Sequence, residues 1–175
     1  HPDGRLEVTL EIREELIRYI RRFKPDLIIT NRLNDYHADH RNTAQLVQDA
    51  SFLLTVPCIC ADTPYMEHMP VVLYWHDSFK KPYPCQGDVI VPIDDTLEDI
   101  VQHAACHECQ YFDWMYWPDN TEMIDWPREQ QIARLRDRFD RLFARFRREY
   151  DTEVRAKFGD QADSIQHVEV YEISE

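Results

Sequence analysis

The chain has 175 residues, 43% of them hydrophobic, and 33 acidic side chains against 20 basic ones give it a formal charge of −13. That balance argues against a nucleic-acid partner, because phosphate-backbone binding needs clustered Lys and Arg. No run of about 18 apolar residues occurs, so no membrane span is expected, and the length predicts a single domain over residues 1–175.

Five cysteines, odd in number and irregularly spaced, predict reduced thiols in a cytoplasmic protein rather than a disulfide framework. His1-Pro2-Asp3-Gly4 reads as a polar turn ahead of a helix over residues 8–23. On that helix Ile12, Leu16, Ile17, Ile20 and Phe23 share one face, and Arg13, Arg18, Arg21 and Arg22 lie mainly on the other. Pro25 stops it. Asp26-Leu27-Ile28-Ile29-Thr30 predicts a parallel strand covered on both faces. Residues 39–54 predict the next helix, with Asp39 as N-cap and Thr43, Leu46, Val47, Ala50, Leu53 and Leu54 in one stripe. Residues 58–70 read as a surface connection or the wall of a cleft.

Val71–Trp75 predicts a strand that delivers His76-Asp77 at its carboxyl end. Lys81-Pro82-Tyr83-Pro84 reads as an extended linker. Asp88–Ile93 reads as a strand that is at an edge or ending at Pro92. Asp94 or Asp95 is expected to cap a helix that runs on into Cys106-His107-Glu108-Cys109-Gln110. The aromatic run Tyr111–Trp117 suits sugar rings, a homo-oligomer interface or plain core. Residues 127–150 predict a long helix with Ile132, Leu135, Phe139, Leu142, Phe143, Phe146 and Tyr150 inside, and its arginines, Arg147 among them, on a solvated face. His167–Ile173 alternates like a final edge strand. Alternating strands and helices predict an α/β, Rossmann-like three-layer sandwich with a mainly parallel sheet. No glycine-rich dinucleotide loop is present, so a nicotinamide cofactor is not expected.

The chemistry concentrates in Asn34-Asp35-Tyr36-His37-Ala38-Asp39-His40-Arg41, where a strand hands over to a helix. Ligands of open α/β sheets bind at the carboxyl ends of strands. His37 and His40 are three apart, which puts both rings on one side once the helix has begun. Asp39 is positioned to orient one imidazole and fix its tautomer. Solvated polar surface is the bland alternative. His76-Asp77 also suits a His-Asp metal phosphohydrolase, but further ligands cannot be placed, and His76 reads better as a polar group on a cleft rim. Cys106-x-x-Cys109 with Cys58-x-Cys60 admits a structural zinc or a redox pair. The zinc would need both pairs, and a redox pair would sit at a helix N-terminus after a strand rather than at a helix end.

Lys24-Pro25-Asp26-Leu27-Ile28-Ile29-Thr30-Asn31, then His37-Ala38-Asp39-His40-Arg41 and Thr43-Ala44-Gln45-Leu46-Val47, resembles the PIG-L/LmbE family of zinc-dependent N-acetylglucosamine deacetylases. Ala38 stands where that family has proline in His-Pro-Asp-His-Arg. Asp3-Gly4-x-Leu6-Glu7-x-Thr9-Leu10-Glu11 extends the likeness, as does His107-Glu108-Cys109-Gln110, similar to the family's His-x-Ser-Gln with Cys109 in the serine place. The resemblance implies an LmbE-like fold in a cytoplasmic, bacterial hydrolase. It implies zinc or another divalent ion as cofactor and a small amino-sugar conjugate as substrate, cleaved by a metal-activated water. It implies His40 as a metal ligand. His37 would stabilise the oxyanion or protonate the leaving amine, with Asp39 orienting it. Asp35, Tyr36, Arg41, His76, His107 and Gln110 would surround the substrate. The family's first metal motif, His-Pro-Asp-Asp, is not matched. His1-Pro2-Asp3-Gly4 has Gly in fourth place, and only 35 residues separate His1 from His37. An N-terminally incomplete domain is therefore expected, lacking the first βα unit. The alternative is an inactive relative that binds a ligand or partner without turnover.

Overall fold

Thr9 sets where the first helix begins: its Oγ1 accepts the Ile12 N–H, and α1 runs Leu10–Phe23. The coordinates are a computed structural model that describes residues 1–114, 123 and 125–174. Lys24 closes α1 in the left-handed conformation, with φ at 54°. β1 (Leu27–Thr30) follows, then α2 (Ala38–Ser51), a 3-10 turn over Phe52–Thr55 and β2 (Val71–Trp75). β3 (Val89–Pro92), α3 (Leu97–Ala105), a π-helical turn over Cys109–Trp114, α4 (Arg128–Glu149), α5 (Asp151–Phe158), a 3-10 stretch over Gly159–Ser164 and β4 (Val168–Ile173) complete the order. Of the aromatic run, Met115, Tyr116 and Trp117 lie outside the described residues.

The α/β class is as the sequence predicts: helices and an open sheet of four described strands, ordered β1-β2-β4-β3. The sheet is mixed. β1 pairs parallel to β2, Leu27 opposite Val71, whereas β4 runs against β2, Leu73 opposite Ile173. Two strand expectations change. β1 is an edge among the described strands, and Leu27 is exposed rather than covered on both faces. β4 is internal rather than an edge, and its alternation buries Val168, Val170 and Glu172. β3, with Pro92 at its end, is at the edge, where a residue lacking an N–H costs no ladder bond.

The chain divides into two compact units, His1–Val89 with Tyr171–Glu175, and Ile90–Val170. In the first, Ile17, Ile20, Ala50, Leu54 and Cys60 make a core. Arg21 lies inside it, 1% exposed, and not on the solvent face that its helical position suggests. Its guanidinium donates to six backbone carbonyls, those of Leu53, Leu54, Val56, Ile59, Cys60 and Thr63, at 2.7–3.1 Å. Four of these carbonyls, those of Leu53, Leu54, Val56 and Cys60, also accept a backbone N–H, so the buried fork gives them a second donor and gathers the turns of residues 53–63 around one guanidinium. In the second unit, Val101, Leu135, Phe139, Phe143, Phe146, Val154 and Val168 head a larger core. Arg147 repeats the device: it is buried and donates to Ile165 O and Ala162 O. Neither Asp94 nor Asp95 caps α3, whose N-cap is Thr96. Asp94 instead accepts from Gln166 N and His167 N at the entry to β4. Nor does α3 carry the Cys106–Gln110 motif, because it ends at Ala105.

Candidate functional site

β1 ends at Thr30, and the chain then crosses seven residues before α2 begins at Ala38. The N-cap of α2 is His37, not Asp39. Its Nδ1 accepts the Asp39 backbone N–H at 3.2 Å. An accepting Nδ1 carries no proton, so the neutral ring bears its hydrogen on Nε2. His40 is held the opposite way. Its Nδ1 faces Asp35 Oδ2 at 3.0 Å, and a carboxylate only accepts, so Nδ1 bears the hydrogen and the neutral ring keeps a lone pair on Nε2. The two rings lie 4.7 Å apart, centroid to centroid. The loop therefore presents one imidazole N–H and one imidazole lone pair side by side.

Asp35 makes this possible. Its side chain is 11% exposed, its Oδ1 accepts the His37 N–H at 2.8 Å, and its Oδ2 takes the His40 imidazole. Arg41 donates to the carbonyls of Asp35 and Tyr36 at 2.7 and 2.8 Å, closing the loop from the helix side. Asp39 acts through its backbone on His37, while its carboxylate turns away from the imidazoles. Oδ2 accepts from Gly4 N at 2.7 Å and Oδ1 from Leu6 N at 3.2 Å, and Asn42 Nδ2 donates to Leu6 O at 2.6 Å. The strap of residues 4–6 is thus fastened across the first turns of α2. Gly4 makes the turn into it at φ +74°, a conformation that an L side chain rarely adopts.

A second layer holds the loop from beneath. Arg32 is 3% exposed and donates to Asp77 Oδ1 at 3.0 Å and to Tyr83 O at 2.9 Å, with Glu172 Oε2 3.4 Å from its Nε. Burial works against its charge, and Asp77 and Glu172 more than offset it, so its pKa is raised. Asn34 Nδ2 donates to Lys81 O at 2.7 Å. Tyr36, 75% exposed, sets its ring 6.1 Å from His37, 6.2 Å from His40 and 5.9 Å from Phe79. Sequence reasoning missed Arg32, Glu172 and Phe79, and noticed Asp77 without its pairing to Arg32. One signal was available: Glu172 falls in register with Val168 and Val170, and a carboxylate at a buried strand position calls for a cation.

Of the residues singled out from sequence, Asp35, Tyr36, His37, Asp39, His40 and Arg41 come together in this loop. His76 is half-buried directly after β2. His107 is exposed and Gln110 half-buried, both in the second unit. A polar cavity of about 520 Å³ in the first unit is lined by Gln48, Tyr74, Tyr83, Gln86, Asp88 and Glu172 and does not include the histidines. Among the described residues, no group of three or more His, Cys, Asp or Glu is placed to hold a metal ion. His40 Nε2, with Asp35 orienting the ring from behind, has the arrangement of a metal-ligating histidine, but one histidine does not make a centre. The cysteine pairs do not supply one either: Cys58, Cys106 and Cys109 are exposed and Cys60 is buried, all as free thiols.

Comparison with known proteins agrees with the likeness read from the motifs. Residues 1–51 match the family model described as PIG-L, GlcNAc-PI de-N-acetylase. The whole chain aligns with the conserved protein TT1542 from Thermus thermophilus, at a TM-score of 0.64 and 15% identity, covering 100% of this chain and 63% of that one. The N,N'-diacetylchitobiose deacetylase from Pyrococcus horikoshii aligns at a TM-score of 0.63 and 17% identity, over 99% of this chain and 55% of the other. GalB, the 4-carboxy-2-hydroxymuconate hydratase from Pseudomonas putida, aligns at 0.60 and 12%, over 99% and 62%. The chain spans less than two thirds of the length of each of these structures.

Proposed function

We propose that the Asp35–Arg41 loop belongs to a hydrolase that removes an acetyl group from an N-acetylglucosamine-type amide. The observation that carries this reading is the pair of oppositely set imidazoles, His37 with N–H at Nε2 and His40 with a lone pair there. The PIG-L match over residues 1–51 and the fold shared with a deacetylase support it. In amide hydrolysis, water adds to the carbonyl carbon and the carbonyl oxygen becomes an oxyanion. A fixed N–H aimed at that oxygen stabilises it. The C–N bond then breaks, and the departing nitrogen needs a proton. His37 Nε2–H suits the first task, with the Asp39 N–H keeping its hydrogen on the correct nitrogen, and the proton given up by the attacking water meets the second. Acetate and a free amine result.

Zinc or another divalent ion is the cofactor that this reading expects; when bound, such an ion supplies an activated water. His40 Nε2 is the ligand that the loop offers to it. The described residues do not complete a centre. The second reading is a ligand-binding relative without turnover. On this reading His76 belongs to the substrate surroundings, and the protein to the cytoplasm.

The test is acetate release from N-acetylglucosamine and its conjugates by the full chain supplied with Zn²⁺. The expected result is equimolar acetate and amine, reduced about 100-fold in His37→Ala, the usual scale for losing one oxyanion donor. Binding without acetate would support the second reading. Acetate release indifferent to His37→Ala would remove the role given to that residue.

A further inference from the structure

Beside the two imidazoles lies an exposed aromatic ring, Tyr36, set against a half-buried one, Phe79. Tyr36 is 75% exposed, yet it is not loose: its ring meets His37 and His40 edge-on and meets Phe79 at 57°. Phe79 comes from a segment with no regular structure that is tied down along its length. Its N–H donates to Asp77 Oδ1 at 2.9 Å, and its carbonyl lies 3.5 Å from Arg32 Nη1. Lys81 O accepts from Asn34, and Tyr83 O from Arg32. Arg32 in turn is fixed by Asp77 and Glu172. The buried ion pairs thus hold a second loop against the first, and what they bring together at the surface is the Tyr36–Phe79 pair.

We infer that Tyr36 and Phe79 form a stacking subsite for the apolar face of a pyranose ring. A sugar ring is polar at its rim and carries C–H groups on its faces, which match an exposed aromatic face. The subsite adjoins the imidazoles that would act on the acetamide, so one hexosamine can reach both. The segment around Phe79 selects a ring-bearing acetamide over an open-chain one. The choice of a sugar rests on the hydrolase reading above; the existence of a platform rests on the geometry.

The experiment is a pair of calorimetric titrations of the full chain, one with N-acetylglucosamine and one with N-acetylethanolamine, which has the same acetamide and no ring. The wild-type chain is expected to prefer the sugar about tenfold, the worth of one good stacking contact. Phe79→Ala and Tyr36→Ala should each reduce that preference to about twofold or less, and Phe79→Trp should retain it. Equal binding of the two ligands by the wild-type chain, or an undiminished preference in Phe79→Ala, overturns the subsite. The two readings fail separately. Acetate release without ring preference removes the platform and leaves the hydrolase, and ring preference without acetate release does the reverse.

Discussion

Asp35 and Asp39 flank His37 at equal sequence distance, and the structure gives them different work. Asp35 binds an imidazole with its carboxylate; Asp39 binds the strap at Gly4 and Leu6. Asp35→Asn leaves a single acceptor oxygen for two donors, His37 N–H and His40 Nδ1–H. Activity should fall about 10- to 100-fold, the scale for losing a group that orients a working histidine, with the circular dichroism spectrum unchanged. Asp39→Asn should show itself first as lower thermal stability. Equal effects of the two on turnover would contradict this division. The thiols differ in the same residue-by-residue way. Burial pushes Cys85 up to about 11, so at neutral pH it stays protonated and unreactive. Cys58, Cys106 and Cys109 are exposed. Iodoacetamide at pH 7.5 should label those three within minutes and spare Cys85, as read by peptide mass spectrometry.

At the scale of elements, buried arginines tie short turns together. Arg21→Met keeps the volume and removes the donors to six carbonyls, and should destabilise the chain by on the order of 3 kcal/mol in urea. A loss below about 1 kcal/mol would mean that water replaces the fork without cost. The junction of α4 and α5 carries a pH dependence. Asp151 accepts from Arg147 and Arg155, and those hydrogen bonds hold its carboxyl below the usual range. A depressed carboxyl contributes stability above its unfolded pKa, about 3.9, which is lost as pH falls through the folded value. Asp151→Asn should therefore be less stable than wild type at pH 6, with the difference shrinking toward pH 3. How much was legible follows the same physics. Helices α1 and α4 were readable because many apolar residues repeat at one period, and β2 because a five-residue apolar run stands between Pro70 and the polar His76-Asp77. Arg21 and Arg147 were not, because periodicity assigns a face to a side chain and cannot say that a distant loop needs donors. Residues 151–164 form α5 and a 3-10 stretch that the sequence pattern does not announce, because only Val154 and Ala162 are buried there. Within the site, the His37–Arg41 cluster was legible as a motif. The exchange of roles between Asp35 and Asp39 was not, because it depends on a strap more than thirty residues away.

At the scale of the whole molecule, two units carry two hydrophobic cores. Phe143→Ala, in the second, removes a ring stacked on Phe139 and should cost about 3–5 kcal/mol. Hydrogen exchange should report that loss within Ile90–Val170, with amides around Ile17 and Ala50 keeping their protection. Uniform loss across both units would show a single cooperative core instead. Among the described residues no helix is long and apolar enough to cross a membrane. The net charge of −13 favours neutral or cationic ligands over polyanions.

All the chemistry assigned to this chain follows from two imidazoles fixed in opposite tautomers, and ¹⁵N-resolved NMR of the histidine side chains reads tautomers directly. At pH 7.5, His37 should show the pattern of a ring protonated at Nε2 and His40 that of a ring protonated at Nδ1, each assigned by its absence in His37→Ala or His40→Ala. Two rings in the same tautomer, or both averaging freely, would contradict the arrangement from which the hydrolase is inferred.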